Sequence, residues 1–302
     1  MRQPDLPQRW LQIKQGLGTW QFWLALVLMP FNWGIEGRKW QLLVQPMQPF
    51  SWWRAFQSVL SGCSITMLTP NRVGEYGGRI LYVQEGNRIK AISLTIAGSI
   101  SQLLITLLMG CCGLIFLRII SQPSGSQIAV LPHFWGDVLL YLSISITVAL
   151  FLFYWQLGWL VRLMEKIPAL NRITRHINVL DELNNDLLLR LLSLSLGRYL
   201  VFVIQYLLLL KVMDVHITPV VCFWLISVFY LVMAVAPTIG FTELPVRVTA
   251  SWTLLHLYSP NTLGIGAAAL ATWLINLVIP AVIGSLLMLR IKIVNEKNDE
   301  NP

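Results

Sequence analysis

Pro70-Asn71-Arg72-Val73-Gly74-Glu75-Tyr76-Gly77-Gly78-Arg79 is echoed later in the chain by Pro237-Thr238-Ile239-Gly240-Phe241-Thr242-Glu243-Leu244-Pro245-Val246-Arg247. Each stretch follows an apolar segment and reads proline, glycine, glutamate, then an arginine four residues after that glutamate. Ionisable groups near membrane depth are costly, and a duplicated proline/glycine break points to the central site of a transporter. The repeat therefore predicts an internally duplicated, helical membrane protein.

Composition agrees. The 302 residues are 56% hydrophobic and only 12% charged, with mean hydropathy +0.64, whereas a soluble domain carries about 25% charged residues. A net charge of +8 suits basic loops against anionic lipid headgroups. No Lys/Arg-rich run or aromatic-interleaved basic stripe supports nucleic acid as a partner. Cys63, Cys111, Cys112 and Cys222 lie in apolar segments without metal-ligand spacing and read as packing residues. The histidines likewise form no ligand pattern, so neither a metal nor a cofactor is expected. His256 reads as interior packing. Arg2, Arg9 and Lys14 precede a first apolar stretch that lacks a small-residue cleavage site, so it reads as a retained helix.

Charge-free runs mark the spans: Gly16–Ile35, Ala91–Leu117, Val138–Val161, Ile217–Ala236 and Leu263–Leu289, with Leu191–Leu210 interrupted by Arg198. About 20 helical residues cross the hydrocarbon. Ala55–Thr69 and Val248–Tyr258 are shorter, and each reads as a half-helix, a re-entrant loop or a short crossing. The fold class is thus all-α: a polytopic bundle of about seven to eight transmembrane helices including short or re-entrant segments. Residues 1–294 form the membrane domain and 295–302 a polar, disordered tail. The basic connector Arg162–Arg190 is expected to be cytoplasmic and to contain an interfacial helix or a solvated link. The favoured eight-span count makes the two halves a parallel repeat with both motifs toward the cytoplasm. A re-entrant segment would make the relation inverted. Glu36–Arg54 becomes an external loop, awkwardly basic for that side.

In the first motif, Pro70 ends a helix while Gly74 and Gly78 permit close backbone approach. Glu75 and Arg79, four apart, can neutralise each other on one helix face, leaving Arg72 as a free cation. Guanidinium groups bind phosphate in a two-pronged manner, so the motif suits an anionic lipid headgroup. Glu243 and Arg247 repeat the spacing, with Pro237 and Gly240 as the break. Ordinary loop charges forming a structural clasp are the alternative. Arg198, inside a span, needs a partner or water, with Glu75, Glu243 or Asp214 available, or else it snorkels. Tryptophans such as Trp33 and Trp40 read as interfacial belts.

The stretch Arg38-Lys39-Trp40-Gln41-Leu42-Leu43, followed by an apolar segment and LTPNRVGEYGGR, resembles the lysylphosphatidylglycerol synthase transmembrane region, or flippase-like, family. Pro70, Arg72, Gly74, Glu75 and Arg79 match its first element, and Pro237, Gly240 and Glu243 its second, although the usual Pro-Gly-Gly run is missing there. The resemblance implies a multi-pass protein of the bacterial cytoplasmic (inner) membrane that moves lipids between leaflets. Arg72, Glu75, Arg79, Arg198, Glu243 and Arg247 are its candidate headgroup residues. The expected ligand is an anionic phospholipid or a polyprenyl-phosphate-linked lipid. The alternative is a non-transporting membrane partner of a glycosyltransferase or lipid-modifying enzyme. No nucleophile–base constellation is legible, so the chain is not expected to be an enzyme.

Overall fold

The computed structural model describes residues 14–69, 73–121, 133–156, 183–236 and 242–299. Among them there are ten α-helices and no strand. They are α1 (Trp20–Val44), α2 (Trp52–Thr66), α3 (Gly74–Ile80), α4 (Arg88–Ser121), α5 (His133–Trp155), α6 (Asn185–Val212), α7 (Pro219–Val235), α8 (Glu243–Leu255), α9 (Thr262–Trp273) and α10 (Ile279–Asp299). Four helical stretches are long and apolar enough to cross a membrane: Glu85–Ile120, Asp137–Trp155, Asn185–Val212 and Thr262–Leu289. The last contains a π turn at Leu274–Val278. Pro280 has no N–H for the Asn276 carbonyl, and the Ile279 N–H bonds Leu274 O instead, five residues back.

Helix α1 does not stop at Ile35. It continues through Glu36, Arg38 and Lys39 to Val44, a length of about 37 Å at 1.5 Å per residue. The expected external loop Glu36–Arg54 is therefore helical over its first nine residues. The charges did not end the helix because Glu36 and Lys39 are buried and paired. The Arg162–Arg190 connector lies mostly outside the described residues. At the other end, α10 runs to Asp299, so Asn295–Asp299 of the expected disordered tail is helical.

The short helices form hairpins. Helix α2 has 15 residues and α7 has 17, about 22 and 25 Å, short of a bilayer core of about 30 Å. The chain then turns back. Gly62, on α2, lies against Glu75 on α3, and Ser58 Oγ donates to Arg79 O at 3.1 Å. A Cβ on Gly78 would lie 2.3 Å from Gly62 Cα, so glycine is required where these arms touch. The ends of the hairpin meet where the Gln84 N–H donates to Gln48 Oε1 at 3.1 Å. In the second half, Asn261 Nδ2 donates to Met213 O and Asp214 O, both at 3.0 Å, bringing the end of the α7–α8 hairpin back to the end of α6. Each hairpin thus leaves and returns at one end of the bundle, and both thin segments are re-entrant.

The halves α1–α4 and α6–α10 have the same order: long helix, re-entrant hairpin, long helix. Glu75 and Glu243 are 168 residues apart, as are Arg79 and Arg247. Their leading helices run antiparallel. Gly16 meets Val212, Gln205 Nε2 donates to Ala25 O at 2.9 Å, and Lys39 reaches Ser195. Helix α2 packs on α10, with Cys63 donating to Leu277 O, just as α7 packs on α4, with Leu231 against Gly110. Shifting Cys63 by the same 168 residues gives Leu231, and Gly110 then falls one residue from Leu277. The repeat is therefore inverted, with its pseudo-two-fold axis across the helices, and the parallel, eight-span arrangement is not the one formed. Re-entrant hairpins are the physical reason: the first replaces a single expected crossing, Ala55–Thr69, which reverses everything after it, and the second replaces two, Ile217–Ala236 and Val248–Tyr258. The two hairpins accordingly open at opposite ends, so both motifs do not belong to one side.

Apolar side chains fill the interior in two clusters, one centred on Trp40, Leu94 and Leu191 and the other on Tyr206, Leu225 and Phe229. The outer surface is also apolar. Tyr141, Leu142, Val148, Phe151 and Leu152 of α5 are exposed, as are Val232 and Leu286. An apolar outer surface around a helical bundle whose backbone groups are paired internally is the pattern demanded by lipid as solvent.

Candidate functional site

The buried cations Lys39, Arg79 and Arg198 converge on one carboxylate. Glu36 Oε1 accepts from Arg79 Nη2 at 2.6 Å, and its Oε2 accepts from Arg198 Nη1 at 2.8 Å and pairs with Lys39 Nζ at 3.1 Å. Arg79 Nη2 also donates to Glu75. The anchors come from four helices: α1 supplies Glu36 and Lys39, α3 Glu75 and Arg79, α6 Arg198, and α4 joins through Ser101, whose Oγ lies 3.0 Å from that of Ser195. Ser195 in turn accepts from Lys39 Nζ at 3.2 Å. Among the described residues three cations face two carboxylates, one formal positive charge in excess.

Aromatic faces hold the guanidinium groups. Arg79 lies 5.1 Å from the centroid of Trp40, and Arg198 lies 5.0 Å from Trp33 and 5.3 Å from Phe202. Such contacts strengthen when desolvated. Trp40 Nε1 donates to Ser58 Oγ at 3.1 Å, fixing the ring beside the hairpin. Trp33 and Trp40 are thus interior residues, not members of an interfacial belt.

Arg198 sits mid-helix and is buried, as its in-span position requires, but its partners differ from those expected. Asn32 Oδ1 accepts from its Nε at 2.8 Å and Glu36 from its Nη1, in place of Glu75, Glu243 or Asp214. Asp214 is at the turn beyond α6, with φ 57°. The Glu75–Arg79 clasp forms as the four-residue spacing predicts. Side-chain exposure separates its members: Arg79 is 1% exposed and Glu75 24%. The second clasp forms as well. Arg247 donates from Nε at 2.8 Å and from Nη2 at 2.5 Å, both to Glu243 Oε1, and lies 5.9 Å from the Phe229 centroid. Pro245 is accommodated because it falls in the first turn of α8, where a missing N–H costs no helical bond.

Gly74 is buried, and a Cβ there would lie 2.4 Å from the Ile65 carbonyl carbon, so it serves the tight return of the hairpin. Pro70, Arg72, Pro237 and Gly240 lie outside the described residues. His256 is exposed, with Nδ1 2.6 Å from Trp252 O, and so is not interior packing. Among the described residues no group of His, Cys, Asp and Glu could hold a metal ion.

Sequence reasoning missed Asn32, Glu36, Lys39 and Ser195. A signal existed: Asn32, Glu36 and Lys39 recur at helical spacing in register with the apolar run before them, which places them on one face. Taking the charges as the end of a span concealed it.

The sequence profile of the family described as Lysylphosphatidylglycerol synthase TM region matches residues 6–284. The chain belongs to the lysylphosphatidylglycerol synthase transmembrane-region family. It is a multi-pass helical membrane protein related to lipid handling. No curated protein and no solved structure is detectably similar to it. Within this member of the lysylphosphatidylglycerol synthase transmembrane-region family, the first motif and Arg198 meet at Glu36, and the second motif forms its own clasp.

Proposed function

We propose that this protein binds the phosphate of an anionic lipid at the Glu36 cluster and carries it between the leaflets of a bacterial cytoplasmic membrane, as a carrier and not a catalyst. The observation that supports the reading is a buried cluster with one cation more than its carboxylates, built partly on a re-entrant hairpin. A guanidinium accepts phosphate through two parallel hydrogen bonds. Glu75 is the exchangeable counter-ion, because it is more exposed than Glu36 and its ion pair is with Arg79 alone among the described residues. A phosphate would take the place of Glu75 on Arg79 while Glu36 keeps the helices together, and the return of Glu75 would release it. An inverted repeat offers two pseudo-equivalent arrangements open to opposite sides, the usual basis of alternating access.

The test is leaflet-resolved transport in proteoliposomes. Fluorescent phosphatidylglycerol and a fluorescent polyprenyl phosphate form two separate arms, with phosphatidylcholine as the zwitterionic control. Faster movement of either anionic lipid than in protein-free vesicles, with phosphatidylcholine unchanged, supports the reading and says which source of phosphate is used. Binding without movement would instead favour a tether for a glycosyltransferase or lipid-modifying enzyme.

A further inference from the structure

Arg79 keeps one donor idle. Its Nη2 serves both carboxylates of the cluster, Glu36 Oε1 at 2.6 Å and Glu75. Its Nε is buried and meets no acceptor among the described residues. The same is true of Asn32 Nδ2 and Trp33 Nε1, on the two residues that hold Arg198 by a hydrogen bond and by a ring face. Buried donors are nearly always paired, so three left open at one cluster point to the oxygens of an anion. Nε and Nη2 share one edge of the guanidinium, and Glu75 uses only Nη2 of it. A lipid phosphate would span that edge with two oxygens, the stronger arrangement.

Such an exchange strands Glu75. Its ion pair among the described residues is with Arg79, while Lys39 and Arg198 are held by Glu36 of α1. From α2, Glu75 meets the backbone of Gly62. The titratable neighbour on its own helix is Tyr76, which faces Ser99 of α4. None of these contacts supplies a positive charge. A carboxylate that loses its cation and gains a like-charged neighbour favours its protonated form. Glu75 is also the more exposed member of its clasp, within reach of protons from water.

We propose that the protein is an electroneutral lipid–proton symporter in which Glu75 carries the proton. This rests on the lipid-carrying reading above and adds to it the ion that travels with the lipid. On the loading side the phosphate takes Arg79 Nε and Nη2, the bond from Nη2 to Glu75 breaks, and hydronium gives one proton to the freed carboxylate. On the far side water takes that proton back, and the ionised Glu75 returns to Arg79 and displaces the phosphate. Among the described residues the empty cluster has one positive charge in excess. A phosphate monoanion and a proton together add no charge, so the loaded and empty forms are equal and a membrane potential does no work on the cycle. Without the proton, each lipid would take a negative charge through the field.

The test uses the full chain in proteoliposomes with fluorescent phosphatidylglycerol, wild type beside Glu75→Gln, each with a thermal-melting control. Movement is first read from lipid added to one leaflet, and redistribution is then read from an even start. With wild type, a gradient of one pH unit should enrich the lipid about tenfold in the leaflet on the alkaline side, the ratio set by one proton per lipid. A potassium diffusion potential at equal pH should leave the distribution even. A folded Glu75→Gln protein should leave it even across the pH gradient as well. Wild type that moves the lipid yet leaves it even across the pH gradient overturns the coupling, and so does enrichment by potential alone. These wild-type arms need no variant to fold. A Glu75→Gln protein that enriches the lipid as wild type does overturns Glu75 as the proton carrier. If wild type moves no lipid from the labelled leaflet, the carrying function itself has failed, a result distinct from failure of the coupling.

Discussion

Glu36 of α1 and Arg198 of α6 share a 2.8 Å hydrogen bond across the interface between the two inverted halves. The same carboxylate receives Arg79 from the first hairpin at 2.6 Å. One side chain therefore joins the leading helices of both halves to a re-entrant element, and its loss should be felt in all three.

Breaking a buried ion pair by removing one partner costs about 3–5 kcal/mol, because the remaining charge is left unpaired. Glu36→Gln leaves Arg79, Arg198 and Lys39 without their common carboxylate. It should lower folded yield and melting temperature in detergent far more than Glu75→Gln, whose side chain is partly solvated. Equal losses in the two variants would show that Glu36 is not the central counter-ion.

Arg198→Leu should destabilise the protein strongly, since it strips Glu36 and Asn32 of a donor. Arg118→Leu removes a pair with Asp137 in which both side chains are about two-fifths exposed (42% and 41%), and exposed pairs contribute little. Thermal melting of the two purified variants checks this, and similar melting temperatures would mean that Arg198 is not held by the cluster.

Re-entrant hairpins fix which connectors share a side. In a background without native cysteines, Pro49→Cys and Gly86→Cys, both at exposed positions, should react with an impermeant thiol reagent from one side of the membrane, and His216→Cys and Pro260→Cys from the other. Labelling of positions 49 and 86 from opposite sides would mean that the α2–α3 segment crosses.

Much of this architecture is legible in the sequence, and the exceptions have physical causes. The apolar helices and the in-span position of Arg198 are local features and appear where the sequence places them, although Ile217–Ala236 forms a hairpin arm in place of a crossing. The i,i+4 clasps Glu75–Arg79 and Glu243–Arg247 follow from helix geometry alone. What escapes is tertiary. Glu36 and Lys39 look like the end of a span because a charge is expensive in lipid, yet here Glu36 is neutralised by Arg79 and Arg198, remote in sequence, and Lys39 by Glu36 itself. The direction of the repeat also escapes, since the apolar content of α2 and α7 does not tell a crossing from a return. Only the contacts between Gln48 and Gln84, and between Asn261 and Asp214, decide that.

The central claim is that the cluster is an anion seat in which Glu75 competes with lipid phosphate for Arg79. Glu75→Gln removes the competitor without touching Glu36. Phosphatidylglycerol binding to the detergent-solubilised full chain, titrated by native mass spectrometry against phosphatidylcholine, tests this most directly. The account predicts at least threefold tighter phosphatidylglycerol binding by Glu75→Gln than by wild type, with phosphatidylcholine unchanged. Unchanged or weaker phosphatidylglycerol binding by a folded Glu75→Gln protein would contradict it.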